Sequence, residues 1–120
     1  MTSSLKPLDN RPHGVSTQAT GAQAIEPIAL PEEVEAAWKR WIECVTRQPR
    51  TRVMDKGETY LHAECRSRIF QFVDDLECIL DREGRKIEVR SAARSGYWDL
   101  GVNRRRVEAL RRAFQTGQSS

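Results

Sequence analysis

What this sequence lacks narrows it first. No apolar run approaches the roughly 20 residues that a membrane-crossing helix needs, so no helical span is expected. The opening residues lack the apolar stretch of about 7–15 residues that marks a secretory signal. The chain therefore reads as soluble and cytoplasmic, with a leader or anchor upstream left open. Cysteine is sparse. Cys44, Cys65 and Cys78 are an odd number without paired spacing, which points away from a disulfide framework and toward reduced, buried thiols. Histidine occurs only as His13 and His62. No ligand pair has helical or zinc-knuckle spacing, and His62 and Cys65 differ in strand parity, so neither a metal nor a cofactor is expected. No internal repeat is visible.

What is present fits one domain. The 120 residues are 31% charged and 38% hydrophobic, ordinary for a globular chain. The net charge of +3 hides an asymmetry. Residues 82–112 carry ten Lys/Arg against four Asp/Glu, and the remainder carry ten against thirteen. An anionic partner would be steered to the basic C-terminal third.

Residues 1–29 are rich in Ser, Thr, Gln, Ala, Gly and Pro and read as an extended arm, residues 30–116 as a single α+β domain, and 117–120 as a tail. Pro31 is placed to open a helix that Pro49 ends, with Glu32, Glu33 and Glu35 at its positive pole. Val34, Trp38, Trp41, Ile42 and Val45 fall on one face, and the tryptophans read as core anchors. Four strands follow: Arg50–Asp55, Glu58–Arg66, residues 69–80 and Lys86–Ala92. Pairing Asp81 with Lys86 puts Leu80 beside Ile87, Cys78 beside Val89 and Glu77 beside Arg90, a register with an apolar inner face and opposite charges outside. A last helix, about Asn103 to Gln115, buries Val107, Leu110 and Phe114, with Asn103 as N-cap. The expected fold is a four-stranded antiparallel β-meander with two helices packed on one face.

The stretch from Arg90 to Arg106 concentrates special residues: Gly96, Gly101, Tyr97, Trp98, Asp99, Asn103 and five arginines. Arg104, Arg105 and Arg106 would sit in the first turn of a helix, where the dipole disfavours cations. Either carboxylates neutralise them or an anion is offered a site. Asp74 falls on the apolar face of its strand and needs a cation, with Arg94 and Arg104 as the nearest candidates. A polar network of Asp74, Asp75, Arg94, Asp99 and Arg104 would pin the loop to the sheet. A ligand or partner would then meet Arg90, Arg94, Tyr97, Trp98, Asp99, Asn103, Arg104 and Arg105. Two further constellations compete. His62 with Tyr60, Glu64 and Asp75 on the outer sheet face has the groups for general-base work, yet no nucleophile accompanies it. The basic residues around Tyr97 and Trp98 have the makings of a stacking platform for nucleic acid, but α-helical arginines lie all round and no nucleic-acid motif is present.

Three segments in order, Tyr60–Glu64 (Tyr-Leu-His-Ala-Glu), Phe72–Glu77 (Phe-Val-Asp-Asp-Leu-Glu) and Val89–Arg104, together with the Arg11–Gln18 arm, resemble the family catalogued as domain of unknown function 1499. The resemblance spans about residues 11–114 and puts Asp74, Asp75, Arg90, Ser91, Asp99, Gly101, Asn103 and Arg104 at motif positions. It carries no established activity, and it leaves an envelope, thylakoid or membrane-associated setting open. Two positions depart from the pattern: Gly14 stands where relatives commonly have Cys, and Trp98 where they often have Ser. The expected function is therefore a non-enzymatic accessory module that holds a partner protein or small anionic ligand at the Arg90–Arg106 junction. An enzyme or small-ligand carrier on the His62/Glu64 face is the first alternative, and weak nucleic-acid binding the second.

Overall fold

A computed structural model describes residues 4–8, 13–30, 33–68, 72–95 and 99–117. The elements run β1 (Gly14–Ser16), a single 3-10 turn (Gly21–Gln23), β2 (Ile28–Ala29), α1 (Val34–Thr46), β3 (Thr51–Lys56), β4 (Tyr60–Arg66), β5 (Val73–Asp81), β6 (Lys86–Ala93) and α2 (Val102–Thr116). Alternation of apolar and polar residues builds the central meander. Leu61, Ala63 and Cys65 of β4, Leu76, Cys78 and Leu80 of β5, and Ile87 and Val89 of β6 are all buried on one face. The β5–β6 register pairs Asp81 with Lys86, Leu80 with Ile87, Cys78 with Val89 and Glu77 with Arg90, as the side-chain pattern requires.

Both helices cover that apolar face. Their buried stripes are Trp38, Trp41, Cys44 and Val45 on α1 and Val107, Leu110 and Phe114 on α2. They meet where Trp41 packs edge-on against Phe114, with ring centroids 5.7 Å apart, and the Arg40 guanidinium lies 4.0 Å over the Phe114 ring. All three cysteines are buried, and none is in a disulfide. Burial pushes the Cys78 thiol up to about 12, against a smaller opposing pull from the Trp41 indole.

The architecture is α+β, but the sheet has six strands rather than four. The order is β1-β6-β5-β4-β3, and β2 also pairs with β6. The two extra strands come from the arm, antiparallel to β6: Gly14 pairs with Ala92, Val15 with Ser91 and Ser16 with Arg90, then Ile28 with Ile87 and Ala29 with Lys86. With three and two residues, they are too short to show a period of their own. They complete the edge of β6, which would otherwise expose unpaired backbone groups. Gly14 is what permits the approach, since a Cβ there would lie 2.4 Å from the Ala92 Cβ and 2.6 Å from the Ser91 carbonyl oxygen.

Two helix starts differ from the expectation. Pro31 and Glu32 lie outside the described residues; α1 begins at Val34 after Glu33, whose carboxylate accepts from the Glu35 amide. α2 begins at Val102, one residue before the expected cap, after Leu100 and Gly101 both take the left-handed conformation (φ 54° and 80°). Asn103 is fully buried inside the first turn instead of capping it. Phe72, which strand alternation with Leu76 and Cys78 would put on the apolar face, precedes β5 and is 44% exposed.

Candidate functional site

The outer face of the sheet follows from the same alternation that built the core. Residues one step out of phase with Leu61 and Ala63 are Tyr60, His62 and Glu64. Those out of phase with Leu76 are Asp75 and Glu77. β4–β5 pairing sets His62 opposite Glu77 and Glu64 opposite Asp75. Arg94 leaves the end of β6 and closes a chain of contacts. Its Nη2 lies 2.7 Å from Asp75 Oδ1 and 2.6 Å from Glu64 Oε2, and its Nε 3.0 Å from Asp75 Oδ2. On the other side of Asp75, His62 Nε2 stands 2.8 Å from Oδ1.

A second anchor lies alongside. The Tyr60 hydroxyl donates to Glu77 Oε2 at 2.9 Å, and the Lys6 amide donates to Glu77 Oε1 at 2.9 Å. This second bond ties residues 4–8 of the arm across the outer face. Leu5 is buried there, its amide donating to Gln18 Oε1 at 2.8 Å. Sheet and arm together line a half-open pocket of about 500 Å3, bounded by Lys6, Pro7, His13, Tyr60, His62, Asp75, Glu77, Arg90, Ala93 and Arg94.

The charges in this pocket are set by their neighbours. Partial burial alone would raise the Asp75 carboxyl, but hydrogen bonds from Arg94 and His62 outweigh it and hold the group below its ordinary value. Glu64 is lowered as well, first by its hydrogen bond from Arg94. The Arg94 guanidinium is pushed further up by the same two carboxylates. Burial, then the bond to Glu77, raises the Tyr60 phenol well above its usual range, so it serves as a neutral donor. An ionised Asp75 only accepts, which assigns the His62 Nε2 proton to that bond; in the neutral ring Nδ1 is then the acceptor. The site thus holds an oriented imidazole, a phenol, the carboxylates of Asp75 and Glu77, and the cations Lys6, Arg90 and Arg94.

The Arg90–Arg106 junction is organised differently. Asp74 is 2% exposed, and its cation is Arg106 (Nη1 to Oδ2 2.9 Å) rather than Arg94 or Arg104. Arg106 also donates to Asn103 Oδ1 at 2.7 Å and to Ser91 Oγ at 3.2 Å. Ser91 Oγ donates to Asn103 Oδ1 at 2.6 Å, and Asn103 Nδ2 donates to Asp99 Oδ2 at 2.9 Å and to the His13 carbonyl at 3.2 Å. Asp99 accepts the Gly101 amide at 2.9 Å and the Asn103 amide at 3.3 Å, so a carboxylate of the chain itself occupies the positive pole of α2.

Of the residues expected in one network, Asp75 and Arg94 therefore lie on the opposite sheet face from Asp74. Arg104 is outside it too, donating to the carbonyls of Ala22 and Ala24 at 2.8 and 3.0 Å. Of those expected to meet a ligand, Arg90 and Arg94 line the outer pocket. Asp99 and Asn103 are enclosed in the junction network, and Arg105 donates to the Leu100 carbonyl at 3.1 Å. Tyr97 and Trp98 lie outside the described residues.

Arg106 had a signal in the sequence. The buried stripe Val107, Leu110 and Phe114, continued backward at helical spacing, reaches Asn103 and Arg106 and leaves Arg104 and Arg105 off the face. Ser91 had one too, falling in step with Ile87 and Val89 on the inner side of β6. Lys6 and His13 had none, because contacts 71 residues away in sequence bring the arm to the sheet. No group of three or more metal-ligating side chains occurs among the described residues. Among those residues, no helix is long and apolar enough to cross a membrane.

A family model described as protein of unknown function (DUF1499) matches residues 4–114. No curated protein and no solved structure matches the chain.

Proposed function

The chain belongs to the DUF1499 family of proteins of unknown function, and from that premise we propose that it is a non-enzymatic binding module whose ligand sits in the outer-face pocket. The observation that carries this reading is the fixed imidazole. His62 is held through Nε2 by Asp75, itself clamped by Arg94, in a half-open pocket to which the arm adds a wall. Such a chain of partners orients one acceptor, Nδ1, toward a single use. The pocket walls gather residues of all three segments that carry the family resemblance: Tyr60 and His62, Asp75 and Glu77, Arg90 and Arg94. The ligand class follows from the complement. A small acid fits, its carboxylate or equivalent group meeting Lys6 and a hydroxyl or amino group donating to His62. The junction network is then the support that holds β6 and α2 in place behind the site.

The test is a thermal-shift and calorimetric screen of the full chain against small hydroxy, amino and phospho acids. A member of that class stabilises the wild type saturably, and His62→Gln and Tyr60→Phe weaken it while leaving the unliganded Tm within a few degrees. Equal binding by wild type and both variants would place the ligand elsewhere and end this reading. An oriented imidazole also favours general-base chemistry. That second reading requires turnover that His62→Gln abolishes while the ligand Kd stays within a few-fold.

A further inference from the structure

On the far side of the junction, the structure assigns a second site of another kind, and we propose that it binds a phosphoryl or similar oxyanion group. The end of α1 and the turn into β3 (Gln48, Pro49, Arg50), the end of β4 (Arg66) and the first turn of α2 (Arg105, Arg106) surround a pocket of about 290 Å3. Among the described residues, four guanidinium side chains line it and no Asp or Glu does. The outer-face pocket, by contrast, is lined by Asp75 and Glu77.

Two of the four arginines are already neutralised. Arg106 is held by Asp74 at 2.9 Å, and Arg66 has Glu64 at 3.6 Å. Arg50 and Arg105 have no carboxylate partner among the described residues. Among the described residues their bonds go to main-chain oxygens: Arg50 Nε to the Arg66 carbonyl at 3.3 Å, and Arg105 Nη1 to the Leu100 carbonyl at 3.1 Å. A carbonyl orients a guanidinium without cancelling its charge, so each fork is aimed while its positive charge persists. Gathering four guanidinium groups from three segments costs repulsion that an anion would relieve, and planar N–H forks suit the oxygens of a phosphoryl group. The pole of α2 contributes little, because Asp99 already caps it. The site rests on the side chains. It does not depend on the outer-face reading, since no residue is common to the two linings.

The ligand chemistry has two sources, a free phosphate compound or the headgroup of an anionic lipid. Val102, 39% exposed, lines the pocket, and Leu100, 63% exposed, lies beside it in sequence, so an apolar edge accompanies the charge. The full chain is titrated with inorganic phosphate and pyrophosphate at constant ionic strength, chloride serving as the control. In parallel, it is sedimented with phosphatidylglycerol vesicles and with neutral phosphatidylcholine vesicles. Saturable binding in either arm is expected to fall by about tenfold or more in Arg50→Ala/Arg105→Ala, and to be unchanged in Arg112→Ala, an exposed arginine on the same helix. Binding to free phosphate with no vesicle retention identifies a soluble ligand; retention on the anionic vesicles alone identifies a headgroup. If the double variant does not fold, the Nε–H resonances of Arg50 and Arg105 in the wild type report the same contact by their shift with phosphate. No response beyond chloride and no vesicle retention overturns the proposal. So does a response that the double variant keeps, or one without a shift at those resonances.

Discussion

Asp74 and Asp75 are adjacent, identical in chemistry, and placed on opposite faces of β5. Asp74 points into the helix-covered side, where Arg106 stands at 2.9 Å and Ser91, Asn103 and Asp99 extend the contacts into α2. Asp75 points outward, where Arg94 and His62 share it on the wall of an open pocket. The first carboxylate closes a structure and the second furnishes a surface. One step of strand phase separates support from site, which is why a junction that reads as one cluster in the sequence divides into two regions with different duties.

The sharpest way to break the comparison is Arg106→Ala. It takes the arginine from a carboxylate that is 2% exposed and removes the donors to Ser91 and Asn103. Removing one partner of a buried pair typically costs about 3–5 kcal/mol, so urea denaturation should show a loss of that size. The double variant Asp74→Leu/Arg106→Leu recovers part of it, since both ends of the ion pair are then apolar. A loss under about 1 kcal/mol for Arg106→Ala would mean that water reaches Asp74 and that the inner side is no more closed than the outer.

Gly14→Ala comes next, because the outer side depends on the arm. The added Cβ would meet Ala92 at 2.4 Å, a backbone-flanked contact that cannot give way without moving β1. Overpacking of this kind costs about 1–3 kcal/mol. Hydrogen exchange should show the loss concentrated in β1 and residues 4–8, with β4 and β5 protected as before. Uniform loss across the sheet would show that the arm is part of the cooperative core rather than a cover laid on it.

The central meander was legible because alternation specifies both its faces and its register. Leu80 and Ile87, Cys78 and Val89, and Glu77 and Arg90 pair as the pattern requires. The arm strands were not legible, since Ile28–Ala29 and Gly14–Ser16 owe their conformation to β6 and carry no period. The need of Asp74 for a cation was readable from strand phase, but its identity was not taken from helix phase, which selects Arg106 over Arg104. The outer-face groups were all visible as alternating polar residues. What made them a pocket, Lys6, Pro7 and His13, came from 47 or more residues away, beyond any local signal.

Acid sharpens the outer half of the comparison. Asp75 and Glu64 both have folded-state values held below their ordinary ones by Arg94. A depressed carboxylate contributes stability that is fully present above its unfolded value and is lost as pH falls through the folded one. The wild type should therefore lose stability as pH drops from about 4 downward, and Asp75→Asn should flatten that limb. At neutral pH the same substitution should cost about 1 kcal/mol or less, since the group is partly exposed. An unchanged acid limb would assign the titration to other carboxylates.

The smallest effect is expected at Arg82, and it isolates geometry from environment. Arg82 meets Glu35 through Nε and Nη2 at 2.6 and 3.1 Å, a two-pronged contact like that of Arg94 with Asp75 at 3.0 and 2.7 Å. Both carboxylates are lowered by their arginine. The surroundings differ: the Glu35 side chain is 57% exposed and that of Asp75 21%. Water screens the first pair and competes for its bonds, and two long side chains must be held still to keep it. Arg82→Ala should leave the urea midpoint and the Tm indistinguishable from wild type, and should leave ligand binding on the outer face untouched. A measurable loss would show that fork geometry alone sets the worth of such pairs. Arg94 would then owe its importance to shape rather than to the partly enclosed pocket in which it works.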